Sequence, residues 1–133
     1  MPDDVHFGNA ARDGEQYRGW LVGHFISGDN ASVRRTEDVE IKWFFHPAGQ
    51  ERERWVMGET STTLCMLIRG RFRVDLSTGT YTLTAEGDYL MWGPGIDHLW
   101  HAEEDSVVLT IRWPSRSARQ PASAGTTETP RER

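Results

Sequence analysis

Short runs of aromatic and β-branched residues, each closed by a turn, follow one another along most of this chain. Such residues favour strands, and the Gly, Pro, Asn and Asp residues between them favour tight turns. No segment repeats apolar residues at i, i+3, i+4 and i+7 over three helical turns, so no amphipathic helix is predicted. The pattern therefore predicts an all-β fold, an antiparallel sandwich or barrel with little or no helix. The predicted strands are Trp20–Ile26, Val39–His46, Thr62–Arg69, Arg71–Leu76, Thr80–Thr84, Tyr89–Trp92 and Ser106–Trp113.

The length of the chain limits it to one domain, because it has 133 residues and a compact domain usually has about 100–150. Residues 1–16 are polar without sustained periodicity, and residues 115–133 contain no large apolar side chain. Neither end can bury enough surface to offset its ordering entropy. We therefore expect a flexible segment over residues 1–16, a folded barrel over 17–114 and a disordered tail over 115–133.

Composition argues against several classes of partner. The net charge is -5, with 15 basic and 20 acidic residues, so the chain lacks the excess of Lys and Arg that binding to nucleic acid requires. No apolar run approaches the ~20 residues that span a bilayer, and the sequence shows no secretory leader. Cys65 is the only cysteine, which fits a reducing compartment. We expect a cytoplasmic protein that binds neither nucleic acid nor membrane.

The strand at residues 39–46 has two different faces, since successive side chains of a strand point to opposite sides. A strand with one apolar and one mixed face suits a wall between a hydrophobic core and a polar cavity. The apolar set is Val39, Ile41, Trp43 and Phe45, and the opposing set is Glu40, Lys42, Phe44 and His46.

Two cationic residues interrupt otherwise apolar strands. Lys42 is the only lysine of the chain, and Arg112 lies within the last predicted strand. Two interpretations stay open. These residues either present cations to an anionic or carbonyl-bearing ligand, or cap the rim of the barrel in pairs with Glu40 and Asp97.

The most informative motif is the stretch GDYLMWGPGIDHLW at residues 87–100. It resembles the second motif of the cupin superfamily, G-x5-P-x-G-x2-H-x3-N. Gly87, Gly95 and His98 fall in register, whereas Gly93 and Ala102 replace the Pro and the Asn of the family. The resemblance implies a small single-domain cupin with a jelly-roll β-barrel. In such a barrel a Gly-Pro-Gly turn leads into a strand that opens with His98 facing the interior.

The first cupin motif, G-x5-H-x-H-x3,4-E-x6-G, is degenerate in this chain. Gly49 and Gly70 can serve as its ends, but Trp55 and Met57 occupy the two His positions and Thr63 occupies the Glu position. In the family these positions supply a metal ion with ligands. Two alternatives stay open for the cofactor: no metal, or one divalent metal (Fe, Mn, Zn or Ni). The candidate ligands are His98, His46 and Glu59.

The resemblance also implies which side chains line the interior of the barrel. A largely aromatic and apolar wall with a few polar groups is usual for a small-molecule pocket. Cys65 has no basic neighbour in the sequence that would lower its pKa, so we expect an inert buried thiol. The predicted pocket residues are Trp55, Met57, Thr63, Cys65, Trp100, Lys42 and Arg112.

Two functions follow from the resemblance. The first is an enzyme such as an isomerase, cyclase, lyase or oxygenase that acts on a small, partly aromatic or apolar metabolite, with His98 as its acid-base residue. The alternative is a non-catalytic carrier or sensor, because this fold hosts both classes. Cupins commonly pair through edge strands, which predicts a homodimer in which the strand at Trp20–Ile26 crosses to a second copy.

Overall fold

The computed structural model describes residues 5–28 and 32–115 of the chain. Over these ranges the fold is built almost entirely from antiparallel strands, which confirms the predicted all-β class. One four-residue helix, α1 (Ala10–Asp13), and a 3₁₀ turn at Glu15–Tyr17 precede the strands. The strands are β1 (Trp20–Val22), β2 (Glu40–His46), β3 (Thr62–Arg69), β4 (Phe72–Leu76), β5 (Gly79–Leu83), β6 (Tyr89–Trp92), β7 (His98–Ala102) and β8 (Ser106–Trp113).

The strands form two sheets that face each other across one core. The larger sheet has the order β1-β2-β8-β3-β6 and the smaller has the order β5-β4-β7. β8 lies between β2 and β3 and pairs antiparallel with both. The last of the described strands is therefore the central strand of the larger sheet. Side chains of both sheets pack together between them, which is the usual construction of a sandwich or a flattened barrel. The buried core cluster is Cys65, Leu67, Phe72, Val74, Leu76, Leu83, Trp92, Ala102 and Val108.

Alternation along the strands decides which side chains enter that core. In β4, Phe72, Val74 and Leu76 are buried, while Arg73 and Asp75 on the other face are only partly covered. The same period of two runs through β3, where the odd-numbered residues from Thr63 to Leu67 are buried. Because one face of each strand is covered, a slip of one residue would expose the whole apolar set, and the register is strongly specified.

Both ends of the folded region differ from the predicted boundaries. Within the segment predicted to be flexible, Asn9 caps α1 by accepting a hydrogen bond from the backbone N–H of Arg12 at 3.1 Å. At the other end Ser115 is fully buried, and its backbone N–H donates to the carbonyl of Glu37 at 2.9 Å. The described structure therefore extends beyond residues 17–114 on both sides. Residues 1–4 and 116–133, which include nearly all of the predicted tail, lie outside the described residues.

Two strands differ from the sequence-based prediction by more than one residue at an end. β1 ends at Val22 instead of Ile26, because Gly23 makes only an isolated bridge with Arg35 and the chain then turns. β7 was indicated only by the cupin-like motif, since its residues show no apolar alternation. Within the described ranges, the structure has no helix with the length and apolar character needed to cross a membrane.

Candidate functional site in the barrel

The space between the two sheets forms a cavity that opens to solvent. Its wall combines aromatic and apolar side chains with a small number of polar and charged ones. This make-up is typical of a pocket for a small molecule. The lining residues include Trp20, Lys42, His46, Arg52, Val56, Thr63, Cys65, Phe72, Trp92, His98, Trp100 and Arg112.

Four neighbouring strands of the larger sheet contribute one transverse row of polar side chains, which we call the polar row. Trp92 of β6 lies opposite Thr63 of β3, and Thr63 lies opposite Arg112 of β8. Arg112 in turn lies opposite Glu40 of β2. Directly opposed residues have Cβ atoms about 4.5–5.5 Å apart, so these four side chains occupy one level of the barrel. They are 8%, 3%, 6% and 0% exposed, respectively.

The inner face of the larger sheet becomes less polar over the two levels next to the polar row. The first of these levels contains Lys42 opposite Thr110, which is itself opposite Cys65. The second contains Phe44, Val108 and Leu67 in the same order. His46 opposite Ser106 then forms a further polar pair. A ligand with a polar end at the polar row and an apolar body would match the first three levels.

Arg112 is held by two buried carboxylates. Its Nη2 lies 3.2 Å from Oε1 of Glu40, and its Nη1 lies 3.4 Å from Oε1 of Glu59. The guanidinium carbon also lies 4.6 Å from the centroid of the Trp20 ring, a favourable cation-π distance. Within the described part of the chain, Nε of Arg112 has no hydrogen-bond partner. The guanidinium is thus fixed in position while one of its N–H groups stays available.

His98 faces the polar row from the smaller sheet. Its side chain is buried, and its ring lies 4.8 Å from the Trp92 ring between centroids. Burial lowers the pKa of His98 to about 4; the Glu59 carboxylate opposes this shift, and the cationic Arg112 reinforces it. The imidazole is therefore uncharged at neutral pH. Its Nδ1 atom makes no hydrogen bond of good geometry among the described residues, and a weak backbone interaction with Ile96 favours the charged form slightly.

The backbone around His98 is fixed by the segment at residues 50–59. The N–H of His98 donates to the carbonyl of Val56 at 3.1 Å, and the N–H of Val56 donates to the carbonyl of His98 at 2.8 Å. In the preceding turn Gly95 has a φ of 87°, which favours glycine, and its N–H donates to the carbonyl of Glu59 at 2.9 Å. The two regions that resemble the cupin motifs therefore meet at this site.

This pairing corrects the predicted inward positions of the first motif. Val56 lies directly opposite His98 in the bridge and lines the cavity with it. Trp55 and Met57 are 44% and 59% exposed and lie outside the cavity lining. Opposed residues share one side of a sheet, so the neighbours of Val56 point the other way. The expectation that Trp55 and Met57 shape the pocket is wrong by one residue in register.

Two of the three candidate metal ligands are engaged by other groups. Nδ1 of His46 lies 2.6 Å from Oε1 of Gln50, and the His46 ring packs 4.4 Å from the Trp100 ring between centroids. Glu59 pairs with the guanidinium of Arg112. No group of three or more His, Cys, Asp or Glu side chains in residues 5–28 and 32–115 is arranged to hold a metal ion. The described side chains therefore do not form the ligand set that the two motifs imply.

Lys42 and Arg112 both line the cavity, so neither is a residue of the outer rim. The ammonium nitrogen of Lys42 lies 5.3 Å from the Trp20 ring centroid and 5.4 Å from that of Phe44. The predicted partnership of Arg112 with Glu40 is present. It lies in the interior, however, because Glu40 is fully buried.

Cys65 is a buried free thiol in the middle of the larger sheet. Burial raises the pKa of this thiol to about 12, and the Lys42 ammonium lowers it only in part. Because the thiolate is the nucleophilic form, Cys65 contributes to the wall of the cavity and not to its chemistry.

The predicted pocket residues do not include several side chains of the wall. Phe72, in the predicted strand Arg71–Leu76, lines the cavity. Glu40 is fully buried and pairs with Arg112, but it is not among the lining residues. Arg52 and Val56 lie in a segment without alternation, and only their hydrogen bonds to the start of β7 place them at the cavity.

No protein-family model matches this sequence, and no curated protein matches it either. Several solved structures are similar to it. An RmlC-like cupin from Shewanella frigidimarina has a TM-score of 0.54 at 18% identity, over 62% of this chain and 71% of that one. This chain has the cupin fold. KdgF from Halomonas sp. has a TM-score of 0.55 at 23% identity, over 62% and 74% of the two chains. A conserved protein of unknown function from Streptococcus pyogenes has a TM-score of 0.54 at 22% identity, over 65% and 72%. At these identities the similarity concerns the cupin fold, and the chemistry must be argued from the site.

Proposed function

We propose that this cupin barrel binds a small, partly aromatic or apolar metabolite and exchanges a proton with it through His98. One observation carries the proposal. His98 has a neutral imidazole whose Nδ1 atom makes no hydrogen bond of good geometry within the described ranges, and it lines a cavity beside Trp92 and Trp100. A buried polar atom without a partner is uncommon in folded proteins, and such an atom beside a cavity often belongs to a functional site.

The chemistry available to His98 is a proton shuttle. Nδ1 accepts a proton from a C–H or O–H bond of the ligand, and the bonding electrons stay on the ligand. The resulting imidazolium returns the proton to a second atom of the ligand, so the net result is an isomerisation or an elimination. The Glu59 carboxylate favours the imidazolium. Since the pKa of His98 in the free protein is about 4, the imidazole is a weak base there, and the bound ligand must present an acidic proton or raise this pKa.

A second candidate function is binding without chemistry. The low pKa of His98 supports it, because a general base works best when its pKa lies near the working pH. In a carrier or sensor the same Nδ1 atom would only donate or accept a hydrogen bond. The proposed metabolite and the wall of the cavity are the same in both cases.

Isotope exchange separates these two functions. The protein is purified without chelators, its metal content is measured, and small molecules released on denaturation are identified by mass spectrometry. The identified molecule is then incubated with the protein in D2O, and exchange of its protons is followed by NMR. We expect exchange with the natural protein and none with His98→Asn, which retains a hydrogen-bonding group near the position of Nδ1.

The matched control is His101→Asn, because His101 lies on the same strand and pairs with Glu51 at 2.8 Å outside the cavity. Unchanged exchange in the His98 variant would contradict the proposed shuttle. A natural protein that binds the molecule without exchanging its protons would favour the carrier or sensor. A stoichiometric metal that is lost in the His98 variant would overturn the metal-free mechanism.

We also propose that the protein forms a homodimer in the cytoplasm. Among the described strands β1 pairs with β2 alone, so it lies at an edge of the larger sheet. Its outer face, which points away from the cavity, carries large exposed apolar side chains; Phe45, Tyr89 and Met91 are 48%, 59% and 49% exposed. Such a surface matches itself in a twofold symmetric pair. The cytoplasmic location is supported by the single thiol, Cys65, which is buried and unpaired.

A further inference from the structure

We propose that the ligand carries a carboxylate, and that Thr63, Trp92 and Arg112 bind this group at the polar row. The inference rests on the proposed function only in placing a small molecule in the same cavity. It adds the chemical class of that molecule, an aromatic or apolar carboxylate. It is independent of whether His98 transfers a proton.

Three unpartnered polar atoms support this assignment. In the described part of the chain, Oγ1 of Thr63, Nε1 of Trp92 and Nε of Arg112 have no hydrogen-bond partner. Each of these residues is more than nine-tenths buried, so water access is small. A buried polar group without a partner costs about 1–3 kcal/mol. Three such groups on one wall indicate that a ligand supplies the missing partner.

The donors lie next to each other and require an acceptor. Thr63 is the direct cross-strand neighbour of both Trp92 and Arg112. An indole Nε1 and a guanidinium Nε can only donate hydrogen bonds, and a hydroxyl can donate as well. His98 lies beside this row, with its ring 4.8 Å from the Trp92 ring between centroids. A ligand group with two adjacent acceptor oxygens satisfies three donors on neighbouring strands better than a single hydroxyl does.

The charged side chains that line the cavity are basic. They are Lys42, Arg52 and Arg112, and the described lining includes no Asp or Glu. The two acidic neighbours, Glu40 and Glu59, both pair with the guanidinium of Arg112. Basic groups on the lining attract an anionic ligand group such as a carboxylate.

The opposite wall indicates what the carboxylate is attached to. Phe72 and Trp100 stack with their ring centroids 5.4 Å apart and their planes at 26°, and both line the cavity. Val74 of β4 continues this apolar wall, and Val108 of the larger sheet also lines the cavity. An aromatic or branched apolar body would bury its surface here while its carboxylate reached the polar row. A polyhydroxylated sugar acid would lack partners for its hydroxyl groups along this wall.

Benzoate and benzamide are suitable probes, because they share size and shape and differ in charge. The chain has six tryptophans, and the Trp92→Phe variant identifies the indole N–H signal of Trp92 in a ¹H–¹⁵N NMR spectrum. We expect benzoate to shift this signal downfield in a saturable manner and to bind at least about tenfold more tightly than benzamide. Equal affinity for the two probes, or saturation with benzoate without movement of the Trp92 signal, would overturn the proposal.

Variants test the other donors without removing the fold. Thr63→Val preserves the shape of the side chain and removes the hydroxyl, and we expect it to weaken benzoate binding about fivefold to tenfold. Met57→Ala, on the exposed side of the neighbouring segment, serves as the control and should leave the affinity unchanged. An unaltered affinity in Thr63→Val would contradict the assignment. If benzoate binds as expected while His98→Asn still supports proton exchange, the proposed shuttle fails and the carboxylate site stands.

Discussion

Arg112 of β8 and Glu40 of β2 form an ion pair inside the barrel, with Nη2 and Oε1 3.2 Å apart and side chains that are 7% and 0% exposed. Oε2 of Glu40 also accepts a hydrogen bond from Ser115 at 3.0 Å. Ser115 lies 2.7 Å from Nδ1 of His24 through its hydroxyl oxygen. The Glu40 carboxylate therefore links Arg112, which lines the cavity, to Ser115 near the end of the described chain and, through Ser115, to His24 after β1.

Glu40→Gln should destabilise the protein strongly, because it leaves the guanidinium of Arg112 buried with only one carboxylate. Removal of one partner of a buried ion pair typically costs about 3–5 kcal/mol. Glu59 still faces Arg112, so we expect the lower end of that range. Urea denaturation followed by tryptophan fluorescence measures the free energy of unfolding.

The control for this prediction is Asp75→Asn. Asp75 pairs with Arg73 at 3.2 Å, but these side chains are 18% and 34% exposed. Pairs of this kind contribute about 0–1 kcal/mol. A loss of stability in Glu40→Gln that is no larger than the loss in Asp75→Asn would show that the interior pair is not important for folding.

The strands could be predicted from the sequence because the sheets have one covered face. In β3 and β4 the alternation of apolar and polar residues reproduces the buried and exposed faces. The segment at residues 50–57 could not be assigned in this way. Its position depends on backbone hydrogen bonds with β7, such as the one from Arg52 to the carbonyl of Trp100. Residues 50–57 show no alternation of apolar and polar side chains that would indicate which of them face the cavity. The prediction therefore places Trp55 and Met57 on the cavity side, whereas the structure exposes them.

The candidate site was predictable to a similar extent. The Gly-Pro-Gly turn and His98 are adjacent in sequence, so the motif alone brings them together. The polar row is different, because Trp92, Thr63 and Arg112 come from three strands that are far apart along the chain. Only the pairing of β8 with β3 brings Arg112 next to Thr63, and the order of strands in a sheet is a property of the whole fold.

His98 should make the stability of the protein depend on pH. Its pKa falls from 6.5 to about 4 on folding, so the unfolded chain binds more protons than the folded protein between these values. Stability is therefore fully present above pH 6.5 and is lost as the pH falls through this window. The loss should amount to roughly 3 kcal/mol at the lower limit.

Urea denaturation of natural protein and of His98→Asn across this pH window tests the prediction. The variant should lose less stability on acidification than the natural protein does. His101→Asn is the control, since His101 lies on the same strand but outside the cavity lining. Equal slopes of stability against pH in the natural protein and His98→Asn would contradict the neutral buried state of His98.

Cys65 should be unreactive in the folded protein. With a thiol pKa of about 12, only about one thiol in ten thousand is ionised near pH 8, and the side chain is 5% exposed. We expect iodoacetamide to label the native protein far more slowly than the urea-unfolded chain. Comparable labelling rates in the two states would show that the thiol is accessible and ionised.

The pKa shift of Cys65 makes stability fall as the pH rises, whereas that of His98 makes stability fall as the pH drops. The ordinary thiol value is 9.0 and the folded value is about 12, so the unfolded chain ionises first as the pH rises. The stabilising contribution is fully present below pH 9 and is lost as the pH rises towards 12. Cys65→Ser, which does not titrate in this range, should show a smaller loss of stability in alkaline solution.

We expect formation of the proposed homodimer to depend on the outer face of the larger sheet. Phe45 of β2 and Met91 of β6 lie on this face and are each about half exposed. A glutamate there would have to be desolvated in the dimer without a partner, so Phe45→Glu and Met91→Glu should each produce a monomer. Tyr81 is 41% exposed on β5, in the smaller sheet, and Tyr81→Glu should remain dimeric. Size-exclusion chromatography with light scattering measures the mass of each variant. Dissociation by Tyr81→Glu alone would place the interface on the smaller sheet. A monomeric natural protein would contradict the proposed dimer.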